Sequence, residues 1–455
     1  MAKNQKSNFT ATSNKSIEEN AYTIGTQAYI WGISPYKSYC TRFTELYTRK
    51  KDIKPRGFFE THGLGNCKNT PWTMPNNNTI YGSAWVSVGE EPLILSIPNM
   101  AEAIYYSVAL IDFYQNTFYV FSSRTIGPEG GDFAIKSPQW DGDLPSCLKD
   151  VVISPTPWLW LLQRIAPQTI RDEDVKLVMQ LQDKIQLTPL SQWGNPNFEP
   201  PAKYRDSIGR VNPDFKDDAL HFFEVLSEII NQNPPPSDPE QDGLMSLFNQ
   251  IGLGSGMKFD REKLDPEVKK GLIRAVNTGD NIIKTATYNT NKINGWTLPP
   301  KEMGNYGSNY LDRAVYSTKF PGALPKREVI YVTAFEDGEG NPLHGNNKYT
   351  LKLPRDVYSQ HDALWSLTAY NSKMMLVPNP INRYQVGSQV PDLIYNEDGS
   401  LDVVLQNKYP GSKKLNWLPV PEDSFSLTFR WYLPKKPVLG IYNAKFKLPP
   451  IQKVV

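Results

Sequence analysis

The sequence predicts a mainly β protein with helices, in which a helical section joins two antiparallel β-sandwiches. Three observations support this fold class. Short apolar runs with alternating or continuous hydrophobicity occupy residues 80–121, and such runs return after Gly295. Between them lie segments with helical spacing, and strands do not alternate with helices, which argues against a Rossmann or barrel layout. The 38 prolines and 30 glycines among 455 residues indicate many turns between short elements.

The composition excludes several classes of protein. Lys and Arg number 49 and Asp and Glu 47, so the net charge of +2 is too small for a dedicated nucleic-acid binder. A hydrophobic content of 39% with 12% aromatics is too high for a disordered chain. The longest apolar segments are about half of the ~20 residues that a spanning helix needs, so no membrane span is expected. Three widely spaced cysteines without a C-x-x-C pair predict neither a disulfide framework nor a zinc site.

The chain divides into four predicted sections. The polar stretch before Ser16 is expected to be a mobile arm, and Ser16 with Glu19 forms a capping box that opens a helix interrupted near Gly32 and Pro35. The first residues lack the apolar stretch of a signal peptide, which predicts a cytoplasmic protein, or a virion protein if the source is viral. The predicted sections are an arm at 1–15, a helix plus the first sandwich at 16–165, a helical middle at 166–295 and the second sandwich at 296–455.

Within these sections the patterns predict individual elements. Strands are expected at 80–88, 93–97, 104–111 and 117–121, and helices at 172–186, 217–231 and 265–291. The proline run at 233–239 is typical of a stiff connector. Turn signals at 336–341 and 396–400 separate strands in a C-terminal third that is expected to be entirely β.

Familiar cofactor motifs are absent from the sequence. The glycine cluster at 252–256 lacks the Lys-Ser/Thr ending of a phosphate loop and follows a helix-like stretch, so it is expected to end a helix. The four histidines are too far apart for a local metal motif, and a metal would need ligands from distant strands: they are His62, His221, His344 and His361. The sequence therefore leaves the cofactor unknown.

Three polar side chains are candidates for a site. Asp112 ends a predicted strand among aromatic residues. A carboxylate there could have a raised pKa and act as an acid or base. The alternative is that Asp112 is a turn residue whose carboxylate accepts hydrogen bonds from backbone amides. Arg383 and Arg430 could clamp an anionic ligand, or could pair structurally with a carboxylate such as Asp402.

Aromatic residues crowd the predicted strand ends and loops. Tyr81, Trp365 and Tyr370 are the candidates for ligand contact among them. Aromatic side chains at a sandwich edge can form platforms for sugars or apolar ligands, although most tryptophans in a chain of this size belong to the core.

Several sequence blocks carry a family resemblance. The N-terminal block contains the segment Pro-Asn-Asn-Asn-Thr-Ile-Tyr at 75–81, and the C-terminal blocks include 364–370, Asn-Pro-Ile-Asn-Arg-Tyr at 379–384, 416–421 and Phe-Arg-Trp-Tyr-Leu-Pro at 429–434. In this order they resemble the tandem domains of unknown function one-two-five-four (N-terminal) and one-two-one-four (C-terminal) of uncharacterised bacterial and viral proteins. The resemblance implies two jelly-roll-like sandwiches joined by helices. It supplies no agreed catalytic residues, and Asn78 stands where relatives usually have Asp.

Two functions of different classes follow. The first is a hydrolase, or a binder of a small organic or carbohydrate ligand, acting in the cleft between the sandwiches; its residues would be Tyr81, Asp112, Trp365, Tyr370, Arg383 and Arg430. The second is a structural or assembly protein without catalysis, because jelly-roll pairs are common in viral shells and a polar arm can act as a strap between subunits. Either function fits an expected homo-oligomer.

Overall fold

Two β-rich units form the fold, with a helical layer between and beside them. The computed structural model describes residues 2–48, 60–68, 73–199, 211–286, 291–412 and 416–454. The first unit has two sheets with strand orders β1-β2-β8-β4-β5 and β7-β6-β3-β9. Its strands are β1 (Glu60–His62), β2 (Ile80–Ser87), β3 (Leu93–Ile97), β4 (Tyr105–Asp112), β5 (Thr117–Ser122), β6 (Gly131–Lys136), β7 (Asp150–Ile153), β8 (Trp158–Ala166) and β9 (Gln186–Pro189).

Strand β2 shows how the first unit buries both faces of its five-stranded sheet. Ile80 and Val86 point into the core shared with β3 of the other sheet. Tyr81 and Trp85 point to the opposite face, where the helices and the second unit pack. The alternation follows from the two-residue period of a strand. Because both faces are covered, the strand reads as a nearly continuous apolar run.

The helices cover that second face. They are α1 (Ala2–Phe43), α2 (Asp172–Gln182), α3 (Ala219–Gln232), α4 (Pro239–Phe248), α5 (Pro266–Ala286), α6 (Tyr310–Lys319), and the short α7 (Arg355–Tyr358) and α8 (Lys436–Leu439). A π-helical turn, Thr44–Thr48, follows α1 directly. Helix α1 packs mainly against α5 and α6. Among the described residues, the helices lack the combination of length and hydrophobicity that a membrane-spanning helix requires.

Helix α1 does not stop at Pro35, as the sequence predicts, but runs through it. A proline in a helix has no N–H to donate to the carbonyl four residues earlier, here that of Trp31. The Trp31 carbonyl accepts a hydrogen bond from Arg313 of α6 instead, since Arg313 Nη2 donates to it at 3.0 Å. The same helix includes residues 2–15, where the sequence predicts a mobile arm.

The second unit also has two sheets, with strand orders β10-β11-β12-β18-β14-β15 and β17-β16-β13-β19. Phe429 and Trp431 of β18 pack into the core between these sheets, together with Leu351 of β13 and Val403 of β16. The strands are β10 (Lys292–Ile293), β11 (Trp296–Thr297), β12 (Val329–Ala334), β13 (Lys348–Leu353), β14 (Trp365–Asn371), β15 (Gln385–Gly387), β16 (Leu401–Gln406), β17 (Asn416–Pro419), β18 (Phe425–Tyr432) and β19 (Gln452–Val454).

The coarse fold class is confirmed, since sheets combine with helices and the middle of the chain is largely helical. Three details differ. The pairs β6–β7 and β16–β17 are parallel, so the sheets are not antiparallel throughout, and the strand orders do not establish a jelly roll. Strand β9 lies inside the predicted helical section because it pairs with β3. Helix α6 lies in the C-terminal third that the sequence predicts to be entirely β.

Candidate functional site

A cavity of about 290 Å³ lies at the junction of the two units. We call it the junction cavity. Its walls come from β2 and β8 of the first unit, from β12 and β18 of the second, from the end of α1 and from the loop after α6. Its lining residues are Cys40, Thr41, Thr44, Glu45, Thr73, Met74, Asn76, Tyr81, Ser83, Trp160, Leu162, Arg164, Met303, Phe320, Pro321, Ala323, Tyr331, Arg430 and Tyr432.

Arg164 enters this cavity from β8 of the first unit. It is 5% exposed, and its guanidinium lies 5.5 Å from the ring centre of Tyr81, the residue paired with it on β2. Nη2 donates to the carbonyl of Gly322 at 2.7 Å. Nη1 is buried and has no hydrogen-bond partner among the described residues. One face of a buried cation is therefore left for another group.

Arg430 enters from β18 of the second unit and is 2% exposed. Its Nη1 donates to Thr368 Oγ1 at 3.2 Å and its Nη2 to the hydroxyl of Tyr370 at 2.8 Å. The guanidinium also lies 5.8 Å from the ring centre of Tyr331. All of these partners are neutral groups.

Neither arginine has a carboxylate within ion-pairing distance in the described ranges of the chain. Arginine keeps its proton in proteins, so both side chains carry a buried positive charge. The neighbouring phenols do not supply the missing negative charge, because burial raises the pKa of Tyr331 and raises that of Tyr432 strongly. Buried charges are normally paired, so this arrangement favours an anion as the missing partner.

A carboxylate lies at another part of the cavity wall. Glu45, in the π-helical turn after α1, accepts a hydrogen bond of 2.8 Å from Ser83 Oγ. Ser83 Oγ in turn accepts one of 2.7 Å from Trp160 Nε1. The remaining wall is largely apolar, and its apolar side chains include Met74, Leu162, Met303 and Phe320. The cavity thus combines charged side chains with a largely apolar wall.

The structure brings three of the predicted site residues to this region. Tyr81 and Arg430 line the cavity, and Tyr370 holds Arg430 while its own hydroxyl donates to Pro75 O at 2.8 Å. Trp365 does not join them. It pairs with Trp431 on the opposite face of the sheet and stacks on Phe429 in the core, with ring centres 5.3 Å apart.

Asp112 occupies a turn away from the cavity. Its carboxylate accepts from the backbone N–H groups of Tyr114 and Asn116, each at 2.9 Å, and from the Asn116 side chain. Burial raises the pKa of Asp112, and the hydrogen bonds from Asn116 oppose that rise. These contacts match the turn role that the sequence analysis weighed against acid–base chemistry.

Arg383 lines a different groove, of about 450 Å³, in the second unit. Its Nη1 donates to the carbonyl of Trp417 at 3.1 Å, and desolvation lowers its pKa. Asp402 accepts instead from the side chain of Asn396 at 2.9 Å. The structure therefore separates Arg383 from Arg430, and the two do not form one clamp.

Asn78 connects the two units. Its side-chain amide donates to Gln385 Oε1, and its Oδ1 accepts from Ser366 Oγ at 3.2 Å. Its side chain is fully buried and does not line the junction cavity. Asn78 therefore acts as a contact between units in this chain.

The sequence analysis missed Arg164, Glu45, Tyr331 and Tyr432. A signal for part of this set exists in β18, where Ser426, Thr428, Arg430 and Tyr432 alternate with large apolar residues, so that one face of a strand buried on both sides is polar. No cluster of three metal-binding side chains is found in the described residues.

Comparison with known proteins agrees with this architecture. A family described as a protein of unknown function (DUF1254) matches residues 60–189, and a second, also described as a protein of unknown function (DUF1214), matches residues 328–436. This chain carries a DUF1254 domain followed by a DUF1214 domain. The DUF1254 domain supplies Tyr81 and Arg164, and the DUF1214 domain supplies Tyr331, Arg430 and Tyr432. Glu45 lies outside both matched ranges.

A solved structure resembles this chain over nearly its whole length. The VPA0106 protein from Vibrio parahaemolyticus is 23% identical, with a TM-score of 0.69, and the match covers 96% of this chain and 100% of that one. This likeness shows the fold. An uncharacterised protein from Burkholderia cenocepacia is 10% identical, with coverage of 100% and 99% and a TM-score of 0.45. No curated protein matches the chain.

Proposed function

We propose that this protein binds a small organic anion in the junction cavity. The observation that carries the proposal is the pair of buried arginines, one from each domain, that face one cavity without a carboxylate partner among the described residues. An uncompensated buried charge costs about 3–5 kcal/mol. A bound anion would offset this cost for both side chains at once.

The cavity wall supports an organic rather than an inorganic anion. Apolar side chains cover much of it, and Trp160 and Phe320 add flat surfaces. Its volume of about 290 Å³ is close to the lower limit of the range for ligand pockets, roughly 300–1,000 Å³, which favours a small ligand. A small carboxylate with an apolar body fits these features better than a neutral carbohydrate, which would leave both charges unpaired.

Binding is the part of the sequence hypothesis that the geometry supports. Asp112, the predicted catalytic residue, lies outside the cavity, so we assign no acid or base and no hydrolytic step. Residues 2–15, which the assembly alternative would use as a strap between subunits, belong to helix α1.

Titration calorimetry with short-chain carboxylates tests the proposal. We expect saturable binding to the purified full-length chain, and loss of at least about tenfold in affinity in Arg164→Met and in Arg430→Met. Arg383→Met is the matched control, because it removes an arginine from the separate groove and should leave the affinity unchanged. Absence of saturable binding, or equal losses in all three variants, would contradict the proposal.

A further inference from the structure

The junction cavity has an acceptor end as well as a cationic end. Ser83 is 2% exposed and is held between two partners, since it donates to Glu45 and accepts from Trp160. The single hydroxyl proton of Ser83 is therefore already used. A carboxylate has about four lone-pair sites, so Glu45 can accept a hydrogen bond from a ligand beside those it already accepts.

Strand geometry gives the spacing of the two β2 residues that lie beside the two ends. Tyr81 and Ser83 are two residues apart on β2 and share a face, which places them about 7 Å apart along the strand. Arg164 is paired with Tyr81, whereas Leu162 is paired with Ser83. The cationic end thus lies beside Tyr81, the acceptor end lies beside Ser83, and Leu162 lies near the latter on the apolar wall.

Formal charge restricts the ligand further. Two arginines and one glutamate are the charged residues of the described lining. A single carboxylate meets the two positive charges at the cationic end. A second carboxylate would lie beside Glu45 and be repelled by it, whereas a neutral hydroxyl donor at that end is attracted.

We infer that the ligand is a monoanionic hydroxy acid, in which a short apolar spacer joins the carboxylate to the hydroxyl. The carboxylate lies between Arg164 and Arg430, and the hydroxyl donates a hydrogen bond to Glu45. This inference rests on the proposed function, and it adds the chemical class of the ligand and the role of Glu45. The hydroxyl contributes affinity because a hydrogen bond to a charged group is stronger than one between neutral groups.

Matched ligands test the inference: hexanoate, 6-hydroxyhexanoate and 6-aminohexanoate, each titrated into the full-length protein. We expect 6-hydroxyhexanoate to bind about tenfold more tightly than hexanoate, as a good hydrogen bond to a carboxylate predicts. Glu45→Leu should abolish this preference, and Glu45→Gln, which keeps a neutral acceptor, should restore about a threefold preference. Glu262→Leu, an exposed site outside the cavity, should keep the full preference.

The outcomes separate the two proposals. Equal affinity for hexanoate and 6-hydroxyhexanoate, or a preference that survives Glu45→Leu, overturns hydroxyl recognition while anion binding stands. Tighter binding of 6-aminohexanoate than of 6-hydroxyhexanoate identifies a zwitterion and also overturns the inference. If none of the three ligands binds, or if they bind Arg164→Met as tightly as the wild type, the proposed function itself fails.

Discussion

Replacing Arg164 with methionine should remove anion binding with little loss of stability. The change removes an uncompensated buried charge, which relieves about 3–5 kcal/mol. It also removes the hydrogen bond to Gly322 O, worth about 1.5–3 kcal/mol, and the contact with the Tyr81 ring, worth about 1–2 kcal/mol. Methionine refills the volume and regains about 0.3–1.5 kcal/mol against the aromatic rings. These terms together predict that the free energy of unfolding without ligand falls by no more than about 2 kcal/mol in the variant, and they also allow it to rise.

Urea unfolding measures this difference, because urea adds no anion. Tryptophan fluorescence and far-UV circular dichroism should give coincident transitions if unfolding is two-state. A carboxylate at about 100 times its dissociation constant should stabilise the wild type by about 2.7 kcal/mol and should leave Arg164→Met unchanged. A loss of clearly more than about 2 kcal/mol in the ligand-free variant would refute the reasoning, since Arg164 would then be a net structural contributor.

Three further predictions concern neighbouring features. Gly322→Ala should destabilise the fold by about 1–3 kcal/mol and weaken anion binding. The reason is that φ is +70° at this position and the new Cβ would lie 2.8 Å from the Leu162 side chain. Urea unfolding measures the first effect and calorimetry the second. Glu328→Gln should cost about 1–3 kcal/mol in thermal unfolding, because the buried carboxylate accepts from Tyr105, Ser122 and Arg124; an unchanged melting temperature would contradict it. Burial lowers the pKa of His361 to about 4, so between about pH 6.5 and pH 4 the unfolded chain binds a proton that the folded chain does not. The free energy of unfolding should therefore fall by about 1–2 kcal/mol as the pH drops through this range. The decline should be smaller in His361→Gln.

Local patterns predict much of the secondary structure and less of its connections. The helix that starts at Asp172 and the four strands between 80 and 121 agree closely with their patterns. The passage of α1 through Pro35 could not be predicted, because it depends on Arg313, which lies far along the chain and donates to Trp31 O. Parallel pairing of β16 with β17 is likewise set by contacts between segments and leaves no local signature.

The candidate site divides in the same way. Arg430 and Tyr81 could be selected from the sequence because each interrupts an apolar strand with a polar or amphipathic side chain. Arg164 interrupts the apolar strand β8 in the same manner, so the same reasoning could have selected it. The sequence of β8 is Trp-Leu-Trp-Leu-Leu-Gln-Arg-Ile-Ala. What the sequence does not contain is the packing of one sheet against another that brings the two arginines to one cavity.

Asn78 shows why a family substitution is not evidence about activity until its contacts are known. An ionised aspartate at this buried position could not donate to Gln385 as the amide does, and burial would disfavour its charge. The amide satisfies both Gln385 and Ser366 and so joins the first unit to the second. Because the junction cavity lies between those same units, Asn78 supports the walls that hold Arg164 and Arg430 without contacting the ligand. Its replacement would act on anion binding through the relative position of the two sheets.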